Sequence, residues 1–167
     1  MKGGLAATAL AADPANAVRY LGAWPVFIDV EPDYWQMDAA QGADFLAGQC
    51  EQAGGAMRNK TTGRRVRAIL PVHLYGQTVD MDPLLAIAKE HDLRVIEDAC
   101  QAHGAAYKGK MCGTIGVVGT FSLNNLKNLC GGEGGLFVTD DEDVLKKGDL
   151  VRTGLNRGRT EPPPDGW

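Results

Sequence analysis

Four short apolar runs, Pro25 to Val30, Val66 to Val72, Leu93 to Glu97 and Val117 to Leu123, limit what this chain can fold into. Each is rich in Val, Ile, Leu or Phe and is bounded by turn-forming residues. At this length they read as strands rather than buried helices. Helical patterns lie between several of them. Short strands alternating with helices build βαβ units, because parallel neighbours need a long crossover. The predicted fold is therefore α/β, with three layers: a mostly parallel sheet flanked by helices.

The intervening segments refine this expectation. Asp13-Pro14 predicts the N-cap and first residue of a helix over Ala15 to Leu21, ended by Gly22. Met37 to Ala53 is a weaker helix, since Gly42, Gly48 and the Gly54-Gly55 pair each cost about 1 kcal/mol in a helix interior. Asp82-Pro83 predicts the start of a helix through His91, with Leu84, Leu85, Ile87 and Ala88 on its core side. Asp140 to about Val151 forms the last, with acids leading and Lys146, Lys147 and Arg152 trailing, as the helix dipole prefers. Arg58 to Arg65, His73 to Gly76 and Gly104 to Gly116 read as loops. Gly131 to Gly135 reads as a tight turn before a strand over Gly135 to Thr139. The helical domain pattern ends near 158, and residues 159–167 form an irregular tail. The Ala-rich start resembles a signal peptide cleaved at Ala9-Leu10-Ala11. It has few bulky residues, however, and runs into the first helix, which argues against secretion.

Composition narrows the partners. With 17 basic and 21 acidic residues the net charge is -4, so there is no basic footprint for nucleic acid or an anionic membrane. Small molecules are the expected partners. Cys50, Cys100, Cys112 and Cys130 have no C-x-x-C spacing and read as reduced, cytoplasmic thiols. No apolar run approaches the roughly 20 residues of a membrane span. His73, His91 and His103 lack a second ligand at helical or loop spacing, so no metal site is predicted. Gly113-x-x-Gly116-x-x-Gly119 has the wrong spacing for a dinucleotide-binding loop, and a Walker loop is absent.

Chemistry concentrates between Ile96 and Gly135. Asp98 and Gln101 lie just past one apolar run, and Ser122 and Lys127 lie at or just past another. Strand ends of adjacent parallel strands are where open α/β sheets bind ligands. Taken singly, each residue also has a plain structural reading: a loop cap for Asp98, a loop hydrogen bond for Gln101, a strand-end hydroxyl for Ser122, a surface cation for Lys127. Taken together, a carboxylate, an amide, a hydroxyl and an amine suit a cofactor with a pyridine ring, a phosphate and an aldehyde, namely pyridoxal 5'-phosphate (PLP). A lysine beside a glycine-rich turn, partly withdrawn from water, is suited to imine formation.

Four motifs in order carry a resemblance: Pro25-Val-Phe-Ile-Asp-Val30, Pro71-Val-His-Leu-Tyr-Gly-Gln77, Glu97-Asp-Ala-Cys-Gln-Ala-His-Gly104, and Phe121-Ser-x-x-x-x-Lys-Asn-Leu with Gly132-Glu-Gly-Gly135. Over Asn16 to about Gly158 the chain resembles the DegT/DnrJ/StrS-type PLP-dependent sugar aminotransferases. The resemblance implies part of a fold-type I large domain, truncated at both ends, and a homodimer whose active sites borrow residues from the partner chain. It implies that Asp98 pairs with the pyridinium nitrogen, Gln101 contacts the ring oxygen, Ser122 binds the phosphate and Lys127 forms the internal aldimine. Glutamate or glutamine is the implied amino donor and a keto-sugar or keto-cyclitol the implied acceptor. Relatives with histidine in place of the lysine act as dehydratases; Lys127 favours amino transfer. A chain covering only the centre of such a domain leaves a second reading, an incomplete fragment that does not bind PLP by itself.

Overall fold

The computed structural model describes residues 4–8 and 12–156. The proposed cleavage site at Ala9-Leu10-Ala11 and the tail at 159–167 lie outside the described residues. In chain order the elements are β1 (Gly4–Thr8), α1 (Ala12–Tyr20), β2 (Trp24–Ile28), α2 (Ala39–Gln49), β3 (Cys50–Ala53), β4 (Ala56–Asn59) and β5 (Val66–Leu70). Then come α3 (Met81–Glu90), β6 (Arg94–Asp98), β7 (Ala106–Tyr107), β8 (Lys110–Met111), β9 (Val118–Ser122), β10 (Gly135–Val138) and α4 (Glu142–Asn156). Six strands form one sheet in the order β10-β9-β6-β5-β1-β2, with β3-β4 and β7-β8 as separate hairpins. Every neighbouring pair in the large sheet is parallel except β9 with β10. The expected α/β architecture is borne out.

Strand alternation distributes side chains between two layers. Val95 and Ile69 pack with Leu46 of α2 and with Met81, Leu84 and Ala88 of α3. Ile96 and Leu70 pack instead with Val18 of α1. The sheet thus has α2 and α3 on one face and α1 on the other.

Several expectations need correction. The N-terminal stretch is not a lead-in to a helix: Gly4–Thr8 is an interior strand between β5 and β2. Its sequence, Gly-Leu-Ala-Ala-Thr, is poor in strand formers and gains its place from pairing on both sides. Helix α1 starts at Ala12, so Asp13 and Pro14 occupy its first turn, where a missing proline N–H is harmless. It ends at Tyr20, one residue before the predicted Leu21, and Gly22, with a φ of +67° and an N–H bond to Arg19 O (2.8 Å), closes the last turn as expected.

Helix α2 is capped by Asp38, which accepts from the Ala40 and Gln41 N–H groups, and it stops at Gln49 rather than Ala53. Cys50 turns extended, and the next residues form a hairpin around Gly54-Gly55, with φ of +59° and +71°. Two left-handed glycines are a hairpin turn rather than helix weakeners. Helix α3 has Asp80, not Asp82, at its N-cap position. The Gly104 to Gly116 loop contains the β7–β8 hairpin, turning at Lys108 and Gly109. The link from β9 to β10 is not a tight turn at Gly131 to Gly135, but a longer loop from Leu123 to Gly134 that carries Lys127.

Candidate functional site

Asp98 ends β6 directly beside Thr120 of β9. Its backbone is fixed on the β5 side: Asp98 N–H donates to Pro71 O, and Asp98 O accepts from His73 N–H, both at 2.9 Å. Asp98 and Thr120 share a cleft of about 340 Å³ with Val18 of α1, Leu21 just past its end, and Leu70 and Ile96. The walls are apolar and the carboxylate is half-buried at one side. Asp98 Oδ1 accepts from Cys100 N–H at 3.0 Å. No second N–H donates to the carboxylate among the described residues; its other neighbour is the Cys100 thiol.

Gln101 lies one turn further on. Its Oε1 accepts from Tyr75 N–H at 2.9 Å, which fixes the orientation of the amide, because only the oxygen can accept. The Nε2 donors remain unspent among the described residues. Tyr75 has a φ of +54°, uncommon for a side chain of this size. Ser122 ends β9 two residues beyond Thr120, on the same face as Thr120 by strand alternation. Its Oγ accepts from Asn124 N–H at 3.3 Å, leaving its hydroxyl proton free to donate.

Lys127 follows a turn set by Asn124, which accepts from Lys127 N–H through its carbonyl (2.9 Å) and from Leu126 N–H through its side chain (3.1 Å). Glu133 Oε1 accepts from Asn124 Nδ2 at 3.2 Å and ties the far end of this loop back to the turn. Lys127 is half-buried. Its amine makes no hydrogen bond or ion pair with the described residues.

Cys100 links these groups electrostatically. Burial, then the neighbouring Asp98 carboxylate, pushes its thiol up to about 12, while the bond toward Thr120 O and the Lys127 charge pull the other way. All four residues singled out from the sequence belong to this region: Asp98 and Ser122 on adjacent strands, Gln101 tied to the turn after β5, Lys127 on the loop after β9.

Sequence reasoning passed over the most constrained pair. Glu97 and His73 are both 0% exposed. Glu97 Oε2 accepts from His73 Nε2 (3.0 Å) and Gly113 N–H (2.8 Å), and Oε1 accepts from Ile115 N–H (2.7 Å) and Gly116 N–H (2.6 Å). Burial alone would raise this carboxyl, but the bonds from His73 and the three backbone N–H groups outweigh it and hold it below the usual range. His73 Nδ1 accepts from Val79 N–H at 3.1 Å, so the proton sits on Nε2 and points at Glu97.

The signal was present in the glycines at 113, 116 and 119. A Cβ at Gly116 would lie 2.5 Å from Val95 O, and one at Gly119 would lie 1.9 Å from Gly113 O. That spacing lets the loop approach Glu97 and β9, a packing role that has nothing to do with a nucleotide.

A profile of the DegT/DnrJ/EryC1/StrS aminotransferase family matches residues 7–161. The chain belongs to that family. Among curated relatives it is 42% identical over 138 residues to a GDP-perosamine synthase from Caulobacter vibrioides, covering 83% of this chain and 33% of that protein. It is 37% identical over 148 residues to an L-glutamine:scyllo-inosose aminotransferase from Streptomyces griseus, covering 89% and 31%. The chain thus spans about a third of the length of the curated relatives it matches.

Solved structures agree on the fold. A family aminotransferase from Brucella abortus superimposes with a TM-score of 0.79 at 31% identity, over 99% of this chain and 42% of that one. DesV from S. venezuelae, solved in complex with a ketimine intermediate, gives 0.78 at 31% identity, over 95% and 39%. As expected from the sequence, the chain corresponds to one part of a larger family fold.

Proposed function

We propose that the complete protein is a PLP-dependent aminotransferase that moves an amino group from glutamate or glutamine to a keto-sugar or keto-cyclitol. The observation that carries this reading is the set of unspent groups at the ends of β6 and β9. Among the described residues the Asp98 carboxylate takes only one N–H, from Cys100, Gln101 Nε2 makes no hydrogen bond, the Ser122 hydroxyl proton has no acceptor, and Lys127 Nζ makes no hydrogen bond. They match, in order, a pyridinium N–H, a phenolic oxygen, a phosphate oxygen and an aldehyde carbon. The donor set fits PLP, which when bound supplies an electron sink for the carbanion formed at the amino acid's α-carbon.

The chain's own residues do the rest. Asp98, half-buried against an apolar cleft, holds the ring nitrogen's proton in place. Gln101 donates to the ring oxygen with its carbonyl already anchored on Tyr75, so little side-chain freedom is lost on binding. Ser122 donates to the phosphate at the end of β9. Lys127 Nζ would hold the cofactor at its aldehyde carbon and, when its amine is free, would move the proton at the donor's α-carbon. With Lys127 in place of a histidine, amino transfer is favoured over dehydration.

The acceptor class is supported by the relatives, one named for a GDP-linked product and one for the pairing of L-glutamine with scyllo-inosose. The enzyme acts in the cytoplasm as a homodimer, the partner chain completing each site. The test is Lys127→Ala in the full-length protein. Wild type incubated with PLP gains a visible absorbance band that survives desalting, and the variant does not. A variant that keeps the band overturns the assignment.

A further inference from the structure

Gln36, His73 and Glu97 are the buried polar side chains among the described residues, and the chemistry above uses none of them. Burying a carboxylate directly behind Asp98 needs a reason, because an apolar side chain would fill that core without any desolvation cost. Glu97 joins three segments: β6 itself, the loop at Gly113 to Gly116, and, through His73, the turn after β5. His73 spans that turn. Its Nδ1 accepts from Val79 at the far end, and its backbone N–H donates to Asp98 O at the near end. Between these anchors sits Tyr75, its left-handed backbone presenting N–H to Gln101 Oε1. A tyrosine with this backbone is strained, so it persists only where the surroundings impose it.

We propose that Glu97 and His73 are positioning residues for cofactor binding: acting through the turn from His73 to Val79, they hold Tyr75 N–H against Gln101 Oε1, which keeps the Gln101 amide donors available to the ring oxygen. This rests on the reading of the strand end as a PLP site. It goes beyond that reading in assigning a role to a buried pair on the opposite face of β6, which touches no ligand.

Two histidine replacements separate the bonds. An asparagine amide reaches only where Nδ1 sits, so His73→Asn loses the bond to Glu97. A glutamine amide reaches where Nε2 sits, so His73→Gln retains that bond but gives up the acceptor for Val79 N–H. The full-length protein is titrated with PLP, following the visible band and the pH midpoint of that band, while thermal unfolding of the apo-protein reports folding. His73→Asn weakens PLP binding about tenfold, the loss of roughly one buried charge-assisted hydrogen bond, and moves the midpoint by about half a pH unit. His73→Gln, which keeps the bond to Glu97, recovers part of both changes. In a Gln101→Ala background His73→Asn adds less than about twofold, since the route to the ring is already cut.

Independent losses in that background, or equal losses for the two histidine variants, overturn the clamp while a Lys127-dependent band still stands. If wild type shows no such band, the PLP reading fails and the clamp with it. Should His73→Asn not fold, Tyr75→Gly replaces it: glycine's wider backbone freedom loosens the N–H held against Gln101 Oε1, so PLP binding must weaken only when Gln101 is present. Equal weakening with and without Gln101 overturns the proposal.

Discussion

Replacing Glu97 by glutamine isolates what its charge contributes to the fold. The four bonds divide evenly, His73 and Gly113 on Oε2, Ile115 and Gly116 on Oε1. Glutamine offers one acceptor oxygen, so either amide orientation sets an NH₂ group against two N–H donors. Two charge-assisted bonds are lost at about 1.5–3 kcal/mol each, and relief from burying a charge returns part of that. A net loss of about 2–4 kcal/mol is expected for Glu97→Gln at pH 7.

The pH dependence has a definite sign. The folded carboxyl is held below its ordinary value, so its stabilising contribution is present above the unfolded pKa, about 4.3, and is lost as pH falls through the lower folded value. The gap between wild type and Glu97→Gln is therefore widest at neutral pH and narrows below about pH 4. Urea unfolding of the full-length protein, followed by circular dichroism at several pH values, measures it. A loss under about 1 kcal/mol at pH 7, or a gap that fails to close in acid, would refute the four-donor account.

Three further outcomes follow from the site. With burial first, then Asp98, raising Cys100 to about 12, and burial and then Glu97 raising Cys112 to about 11, both thiols stay protonated at pH 8. Iodoacetamide mapped by mass spectrometry should therefore modify exposed Cys130 well before either, and early labelling of Cys100 would contradict its burial. Gly119→Ala puts a methyl group 1.9 Å from Gly113 O, so β9 and the glycine loop must separate; thermal unfolding should show a loss of at least about 3 kcal/mol. Gln101→Glu keeps an acceptor for Tyr75 N–H and removes both amide donors. PLP affinity, measured by absorbance titration, should fall at least about tenfold while apo-protein stability changes by under about 1 kcal/mol.

Legibility tracked local chemistry. β5 and β6 announced themselves as Val, Ile and Leu runs, and their ends placed Asp98 correctly. β1 did not, because Gly-Leu-Ala-Ala-Thr carries no strand propensity and is a strand only through its neighbours on both sides. The Gly54-Gly55 pair was visible but ambiguous: the same two residues weaken a helix or make a hairpin, and pairing of Cys50–Ala53 with Ala56–Asn59 decides it. Asp80 at the N-cap of α3 was hidden by Asp82-Pro83, a stronger local signal. Asp80 accepts the Tyr107 hydroxyl instead of capping the helix, a contact no local pattern specifies.

The Glu97-Asp98 dipeptide shows where sequence reading stops. Two adjacent acids at a strand end look alike in a linear chain, yet strand alternation sends one into the α2 and α3 layer and the other toward the cleft beside α1. A one-residue slip of register would exchange them. What forbids the slip is donor supply. Only the inner position offers four N–H groups, three of them from a glycine-spaced loop able to approach closely, and only the longer glutamate spans both pairs. Asp98 receives a single backbone N–H, with the Cys100 thiol as its other neighbour. The saturated carboxylate favours the register that turns its neighbour toward the cleft, so the order Glu then Asp, rather than acidity itself, decides which acid faces the cleft beside α1.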